Sequence, residues 1–368
     1  MKYYIISGEA SGDLHASNLV KQLFVVDDHA HVRAWGGDLL REQGADVIKD
    51  YKDLAFMGFV EVAMNIRTVL NNLKFCRKDI IDYNPDVVIL VDYPGFNLRI
   101  AKFLHKQQIK VFYYISPQVW AWHRSRIKSI KKYVNEMFVI LPFEKDFYAK
   151  YHMNVHYCGH PLWDAIKNIT VANDFRAKNN LDDRMIIAIL PGSRKQEIQR
   201  MLPTMLEASS KIDGYQFVIA GVEHHRDLYA SFTKHFNVKV VFHQTYDLLA
   251  NSYAAIVTSG TATLETALFN VPEVVCYRGN YISYCIARNL IKGINYISLV
   301  NLIADKEVVK ELIQQQMNSE TVLHEIQLIL GDTLRRQQIM ENYHAIQQLL
   351  GNGNTSKQIA EQIYQLLQ

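Results

Sequence analysis

At 368 residues with 49% apolar side chains, the chain is too long for one ordinary core, and two domains are the default expectation. Forty basic against 37 acidic residues leave a net charge of +3, too balanced for a general nucleic-acid binder. The four cysteines (Cys76, Cys158, Cys276, Cys285) stand singly without CxxC spacing, which argues against a disulfide scaffold and against a zinc site.

The chain begins on a strand-like run, Tyr3-Tyr4-Ile5-Ile6, with no charged-then-apolar signal pattern. No apolar run reaches the length of about 18 residues that a membrane span needs, so a soluble, intracellular chain is expected. Ser7-Gly8-Glu9-Ala10-Ser11-Gly12-Asp13 then forms a loop before a helical stretch from Leu14 to Phe24. Its glycines permit a sharp turn and close approach to a ligand, and Asp13 is placed to cap the helix that follows. The loop is neither a P-loop, lacking Gly-Lys-Ser/Thr, nor a GxGxxG turn, and Glu9 could equally serve as a structural acceptor.

A strand ending at Ala34-Trp35-Gly36-Gly37 precedes the apolar stretch Phe56-Met57-Gly58-Phe59-Val60-Glu61-Val62-Ala63-Met64. Its simplest reading is a core helix. If exposed, it would suit acyl chains or a membrane surface, because flexible Met and flat aromatics adapt to hydrocarbon. Pro85 to Val91, apolar without a break from Val87 on, has the pattern of a strand buried on both faces of a parallel sheet. It ends in Asp92-Tyr93-Pro94-Gly95-Phe96-Asn97, where a carboxylate would point into the crevice in which α/β sheets bind ligands, or would simply bond the turn.

The next strand, Lys110 to Ile115, runs into Ser116-Pro117-Gln118-Val119-Trp120-Ala121-Trp122. A basic helix follows, with Arg124, Arg126, Lys128, Lys131 and Lys132. It reads as a solvated face or as the partner of a phosphate or an anionic lipid. Runs at 136–142 and 155–161 complete the first half, and a polar segment from Asn168 to Arg184 marks the boundary.

In the second half, Met185 to Ile189 reads as a buried strand leading into Leu190-Pro191-Gly192-Ser193-Arg194 and a long helix. Backbone N–H groups and the helix dipole at such a turn favour a phosphate, and Arg194 could hold it by two hydrogen bonds; a plain turn with a solvated Arg is the alternative. Strands at 216–220, 239–242 and 254–258 lead to Ser259-Gly260-Thr261-Ala262-Thr263-Leu264-Glu265, where Glu265 suits a diol such as ribose or simply lies on the helix surface. Beyond Leu302 the chain reads as helical and Gln-rich, broken by Gly351-Asn352-Gly353-Asn354 before a last amphipathic helix, Thr355 to Leu367.

These four motifs (residues 7–13, 116–122, 190–194 and 259–265), together and in this order, resemble those of the lipid-A-disaccharide synthases, inverting glycosyltransferases of Gram-negative lipid A biosynthesis. The likeness spans about residues 3–320. It implies an α/β GT-B fold of two Rossmann-like domains facing a central cleft: an acceptor- and lipid-binding domain over 1–165, a UDP-sugar domain over 166–350, and a C-terminal helix, 351–368, returning to the first.

The implied reaction moves 2,3-diacylglucosamine from its UDP conjugate to the 6-hydroxyl of 2,3-diacylglucosamine 1-phosphate, with neither metal nor cofactor. The implied catalytic residues are Asp92 and Glu9, with Ser11 at the sugar end. Arg194 and Ser193 would bind the diphosphate, and Gly260, Thr261, Ala262, Glu265 and Asn301 the nucleotide. Phe56, Met57, Phe59, Met64, Arg124 and Arg126 would meet lipid at the cytoplasmic, anionic surface of the inner membrane. A homodimer stays open.

Two departures touch acceptor contacts: Asp38-Leu39 stands where the family often has Pro-Arg, and Ala16-Ser17 where a glycine is common. The competing readings are a UDP-GlcNAc 2-epimerase-like enzyme, which would not need the apolar 56–64 stretch, and a non-catalytic lipid- or nucleotide-binding protein on the same scaffold.

Overall fold

The structure, a computed structural model, describes residues 1–53, 66–121, 124–167, 169–279, 295–331, 333–351 and 353–368. The chain divides into two compact units, Met1–Asp164 together with Leu350–Gln368, and Ala165–Leu349.

In the first unit, β1 (Lys2–Ser7), β2 (His31–Gly36), β3 (Asp46–Asp50), β4 (Val87–Val91), β5 (Val111–Tyr114), β6 (Glu136–Val139) and β7 (His156–Tyr157) form one parallel sheet. Its order is β3-β2-β1-β4-β5-β6-β7. Helices cover both faces, so the central strands run apolar through their middles, as in Tyr3–Ile6 of β1 and all of β4. Tyr4, Ile6, Val88, Leu90 and Tyr113 pack into one core, while Tyr3, Ile5, Val87, Ile89 and Phe112 pack into a second. That alternation is the period-two pleat expressed as two separate cores.

The helix Thr355–Leu367 belongs to this unit. It packs against the helix Ala10–Val26, burying Ile359, Ala360 and Ile363 in the core that holds Leu19, Val20 and Leu23. The Asp164 carboxylate accepts from the N–H groups of Thr355 (2.9 Å) and Ser356 (2.7 Å), satisfying the start of that helix from across the chain.

In the second unit, β8 (Met185–Leu190), β9 (Tyr215–Gly221), β10 (Val238–Phe242), β11 (Ser252–Thr258), β12 (Glu273–Tyr277) and β13 (Lys310–Ile313) form a parallel sheet in the order β10-β9-β8-β11-β12-β13. β13 corrects the expectation of unbroken helix beyond Leu302. Each sheet reverses its strand order once, between β1 and β4 and between β8 and β11, and ligands of such folds bind beyond the strand ends there. The loops following β1 and β4, and those following β8 and β11, carry three of the four motifs.

Candidate active site

In the first unit, the loop after β1 and the turn after β4 lock together at the switch point. Gly8 lies against the Tyr93 ring so closely that a Cβ there would sit 2.4 Å from the ring carbons, so only glycine fits. Asp92 and Tyr93 both hold left-handed backbones (φ 44° and 49°), and Ile115, just past β5, does too (φ 62°). A β-branched residue there is an outlier, and strain of this kind persists only where its surroundings impose it. The surroundings are visible. Asn97 donates from its amide to the carbonyls of Asp92 (2.7 Å) and Val91 (3.2 Å), and the Tyr113 hydroxyl donates to the Asp92 carbonyl at 2.6 Å.

The Asp92 carboxyl is raised to a pKa of about 6, first by burial and then by the negative charge of Glu9, with the Tyr93 N–H opposing. Glu9 and Asp92 are therefore electrostatic neighbours. Glu9 stands at the start of its helix in extended conformation (φ −147°) without using its side chain as a cap. Asp13 does not cap that helix either, contrary to the sequence expectation. It lies inside the helix, and its carboxylate accepts from Gly37 N–H (2.6 Å) and Leu39 N–H (3.2 Å), fixing the next strand-to-helix turn. Ser11 is exposed on the first turn.

Beside Asp92 lies a cavity of ≈ 180 Å³, lined by Asp92, Pro94, Pro117, Gln118, Val119 and Arg126. Its loop is held from behind. Ser116 Oγ and Tyr148 OH are 2.6 Å apart, and the buried Glu144 carboxylate accepts from the N–H groups of Leu141 (3.0 Å) and Ile140 (3.2 Å). Burial lifts Glu144 to about 7. Arg126, expected at a lipid-facing surface, is half-buried and lines the same cavity as Asp92, whereas Arg124 is exposed. The expected lipid contacts Phe56, Met57, Phe59 and Met64 lie outside the described residues.

In the second unit, Gly192 has φ +99°, and a Cβ there would meet Glu197 Oε2 at 2.6 Å. Glu197 was not singled out by sequence. Its Oε2 accepts from the N–H groups of Ser193 and Arg194, both at 3.2 Å, and its Oε1 pairs with Arg194 at 2.9 Å. The donors expected to hold a phosphate are thus gathered around one carboxylate, the chain's own anion. Arg194 is 69% exposed and Glu197 30%.

Neutralising that anion while keeping its shape, by Glu197→Gln, is expected to tighten UDP binding severalfold in calorimetric titration. Weaker UDP binding by Glu197→Gln would mean that the carboxylate positions Arg194 instead of competing for it.

Gly260 and Thr261 are exposed and Ala262 half-buried at the start of the helix Thr261–Leu268. Glu265 on that helix accepts from the Tyr246 hydroxyl at 2.8 Å, and burial raises its pKa. Asn301 is moved from ligand contact to loop support. It is fully buried. Its Nδ2 donates to Val309 O (2.8 Å) and Glu311 Oε1 (2.9 Å), and its Oδ1 accepts from the N–H groups of Val308 and Val309. Glu311 also accepts from Ile297 N–H and from Ser298 N–H and Oγ–H, so Asn301 and Glu311 together hold the segment entering the helix Leu299–Ala304.

Solved structures share this architecture across their whole length. The UDP-GlcNAc 2-epimerase from Neisseria meningitidis bound to UDP-GlcNAc matches with TM-score 0.72 at 14% identity, covering 99% of this chain and 100% of that one. The glycotransferase of kitacinnamycin matches with TM-score 0.70 at 11% identity, covering 100% and 99%. Two parallel Rossmann-type sheets of this kind define the GT-B class, and at these identities the likeness establishes the fold alone.

The sequence comparisons go further. The family model described as Lipid-A-disaccharide synthetase matches residues 3–365. The lipid-A-disaccharide synthase of Syntrophus aciditrophicus (strain SB) is 40% identical over 357 residues, covering 94% of this chain and 93% of that protein. That of Nitrosococcus oceani is 37% identical over 366 residues, covering 97% and 94%. The chain belongs to the lipid-A-disaccharide synthase family. It is a glycosyltransferase of lipid A biosynthesis that uses a UDP-sugar; the resemblance to epimerases is one of shared fold.

Proposed function

We propose that this glycosyltransferase moves the 2,3-diacylglucosaminyl group from its UDP conjugate to the 6-hydroxyl of 2,3-diacylglucosamine 1-phosphate, giving the β-1,6 disaccharide 1-phosphate and UDP. The family match over residues 3–365 is the observation that carries this reading. Asp92 accepts the proton of the 6-hydroxyl as that oxygen attacks the donor C1 from the face opposite UDP. The C1–O bond to the β-phosphate breaks, its electron pair leaves with UDP, and the anomeric configuration inverts.

A base with a pKa of about 6 is ionised at neutral pH yet still basic enough to draw the proton. Arg194 and the N–H groups of Ser193 and Arg194, which bond Glu197 in the free protein, turn from that carboxylate to the charge gathering on the diphosphate. Ser11, Gly260, Thr261, Ala262 and Glu265 complete the contacts to sugar and nucleotide.

The enzyme works at the anionic inner-membrane surface, where Phe56, Met57, Phe59, Met64 and Arg124 meet lipid. The helix Ile66–Tyr83 supports this: Leu70 (56% exposed) and Phe75 (47%) stand on it beside exposed Lys74 and Lys78. Among the described residues no helix is long and apolar enough to cross a membrane. Incubating the protein with both diacylated substrates is expected to yield disaccharide and UDP in equal amounts. UDP release without disaccharide would contradict the transfer.

A further inference from the structure

The helix Arg126–Tyr133 carries four cations, and they are not alike. Lys128, Lys131 and Lys132 are exposed, and Lys131 donates to the Tyr151 carbonyl at 2.9 Å. Arg126 is half-buried, lines the Asp92 cavity, and has no hydrogen-bond or ion-pair partner among the described residues. Its charge is felt by the Tyr113 hydroxyl, the same hydroxyl that holds the Asp92 carbonyl.

A cation on the first turn of a helix also works against the helix dipole, so its placement there does nothing for the helix. The acidity of Asp92 is set by burial, Glu9 and the Tyr93 N–H. The two side chains border one cavity without pairing. Between a carboxylate that takes a proton and a guanidinium with no counterion among the described residues, the complementary ligand carries a hydroxyl at one end and an anion at the other. A planar guanidinium also matches a phosphate bidentately.

We propose that Arg126 binds the anomeric phosphate of the acceptor, fixing the sugar in the cavity so that its 6-hydroxyl, on the far side of the ring, meets Asp92. This rests on the acceptor reading given above and adds the residue that selects the phosphorylated acceptor. The requirement for phosphate then lies in the reaction site itself, separate from any attraction of the protein to anionic lipid.

The test compares wild type with Arg126→Ala in neutral detergent micelles at saturating donor, using diacylglucosamine 1-phosphate and the same acceptor with a free anomeric hydroxyl. For the phosphorylated acceptor, Arg126→Ala is expected to lower kcat/KM by roughly 10- to 100-fold, chiefly through KM, the scale of one lost charge-assisted contact. The phosphate-free acceptor and the donor KM should be unaffected, and Arg126→Lys should recover part of the loss.

An equal loss for both acceptors, or no loss for either, would overturn the proposal. A loss seen on anionic vesicles and not in neutral micelles would assign the cation to lipid headgroups and overturn it as well. Should the alanine variant not fold, Arg126→Gln and Arg126→Lys carry the same comparison. Absence of turnover by wild type would instead overturn the reaction, and the proposal with it.

Discussion

Asp92→Asn is expected to cut kcat by roughly 10²- to 10⁴-fold, the usual contribution of a positioned general base, and to leave UDP affinity unchanged. The substitution is close to isosteric, and Asn tolerates the left-handed conformation at φ 44° as readily as Asp does. The Asn97 and Tyr113 hydrogen bonds go to the main-chain carbonyl of residue 92 and survive the change. What is lost is the ability to take a proton. Rapid-quench turnover with both substrates, alongside UDP titration of the same preparation, separates the two effects. Wild-type kcat in Asp92→Asn would remove the residue from catalysis.

Arg194→Ala is expected to cost at least about 2 kcal/mol in kcat/KM for the donor, some 30-fold, as a guanidinium–diphosphate contact is withdrawn. The loss should not come from folding. The Arg194–Glu197 pair is exposed, and such pairs contribute little to stability. In the free protein the Glu197 caps on the Ser193 and Arg194 N–H groups involve main-chain donors, which the substitution leaves in place. Donor kinetics together with a thermal melt checks both halves. An unchanged donor kcat/KM, or a loss matched by a collapse in melting temperature, would return Arg194 to the solvated-turn reading.

The central strands were legible because burial on both faces writes continuous apolar runs: β1, β4, β8 and β11 stand out by composition. β3 (Asp-Val-Ile-Lys-Asp) and β13 (Lys-Glu-Leu-Ile) did not, because strands at a sheet edge are short and mix charge with apolar residues.

Within the site, Glu9, Asp92 and Arg194 could be read because each follows such a run at a turn. Partnership could not. Nothing local distinguishes Asp13, which fixes the turn at Gly37, from a helix cap. Nor does a local signal separate Asn301, saturated inside its loop, from a ligand contact. Arg126 was hidden among neighbouring cations, and only the position of the helix relative to β4 sets it at the Asp92 cavity. Glu197 looked like an ordinary first-turn carboxylate. Its meaning lies in the Gly192 turn, which folds back until no Cβ would fit.

The assignment of Asp92 as base is tested most directly by the pH dependence of acceptor kcat/KM in wild type and in Glu9→Gln. An ionised Asp92 is required, so the rate should fall tenfold per pH unit below a limb near pH 6, where the buried carboxyl takes up its proton. The charge of Glu9 raises the Asp92 pKa, so removing it in Glu9→Gln must lower that pKa and move the limb to more acidic pH, with turnover at neutral pH largely kept. A limb that stays in place, or a Glu9→Gln enzyme that is dead while Asp92→Asn turns over, would make Glu9 the base and contradict the assignment.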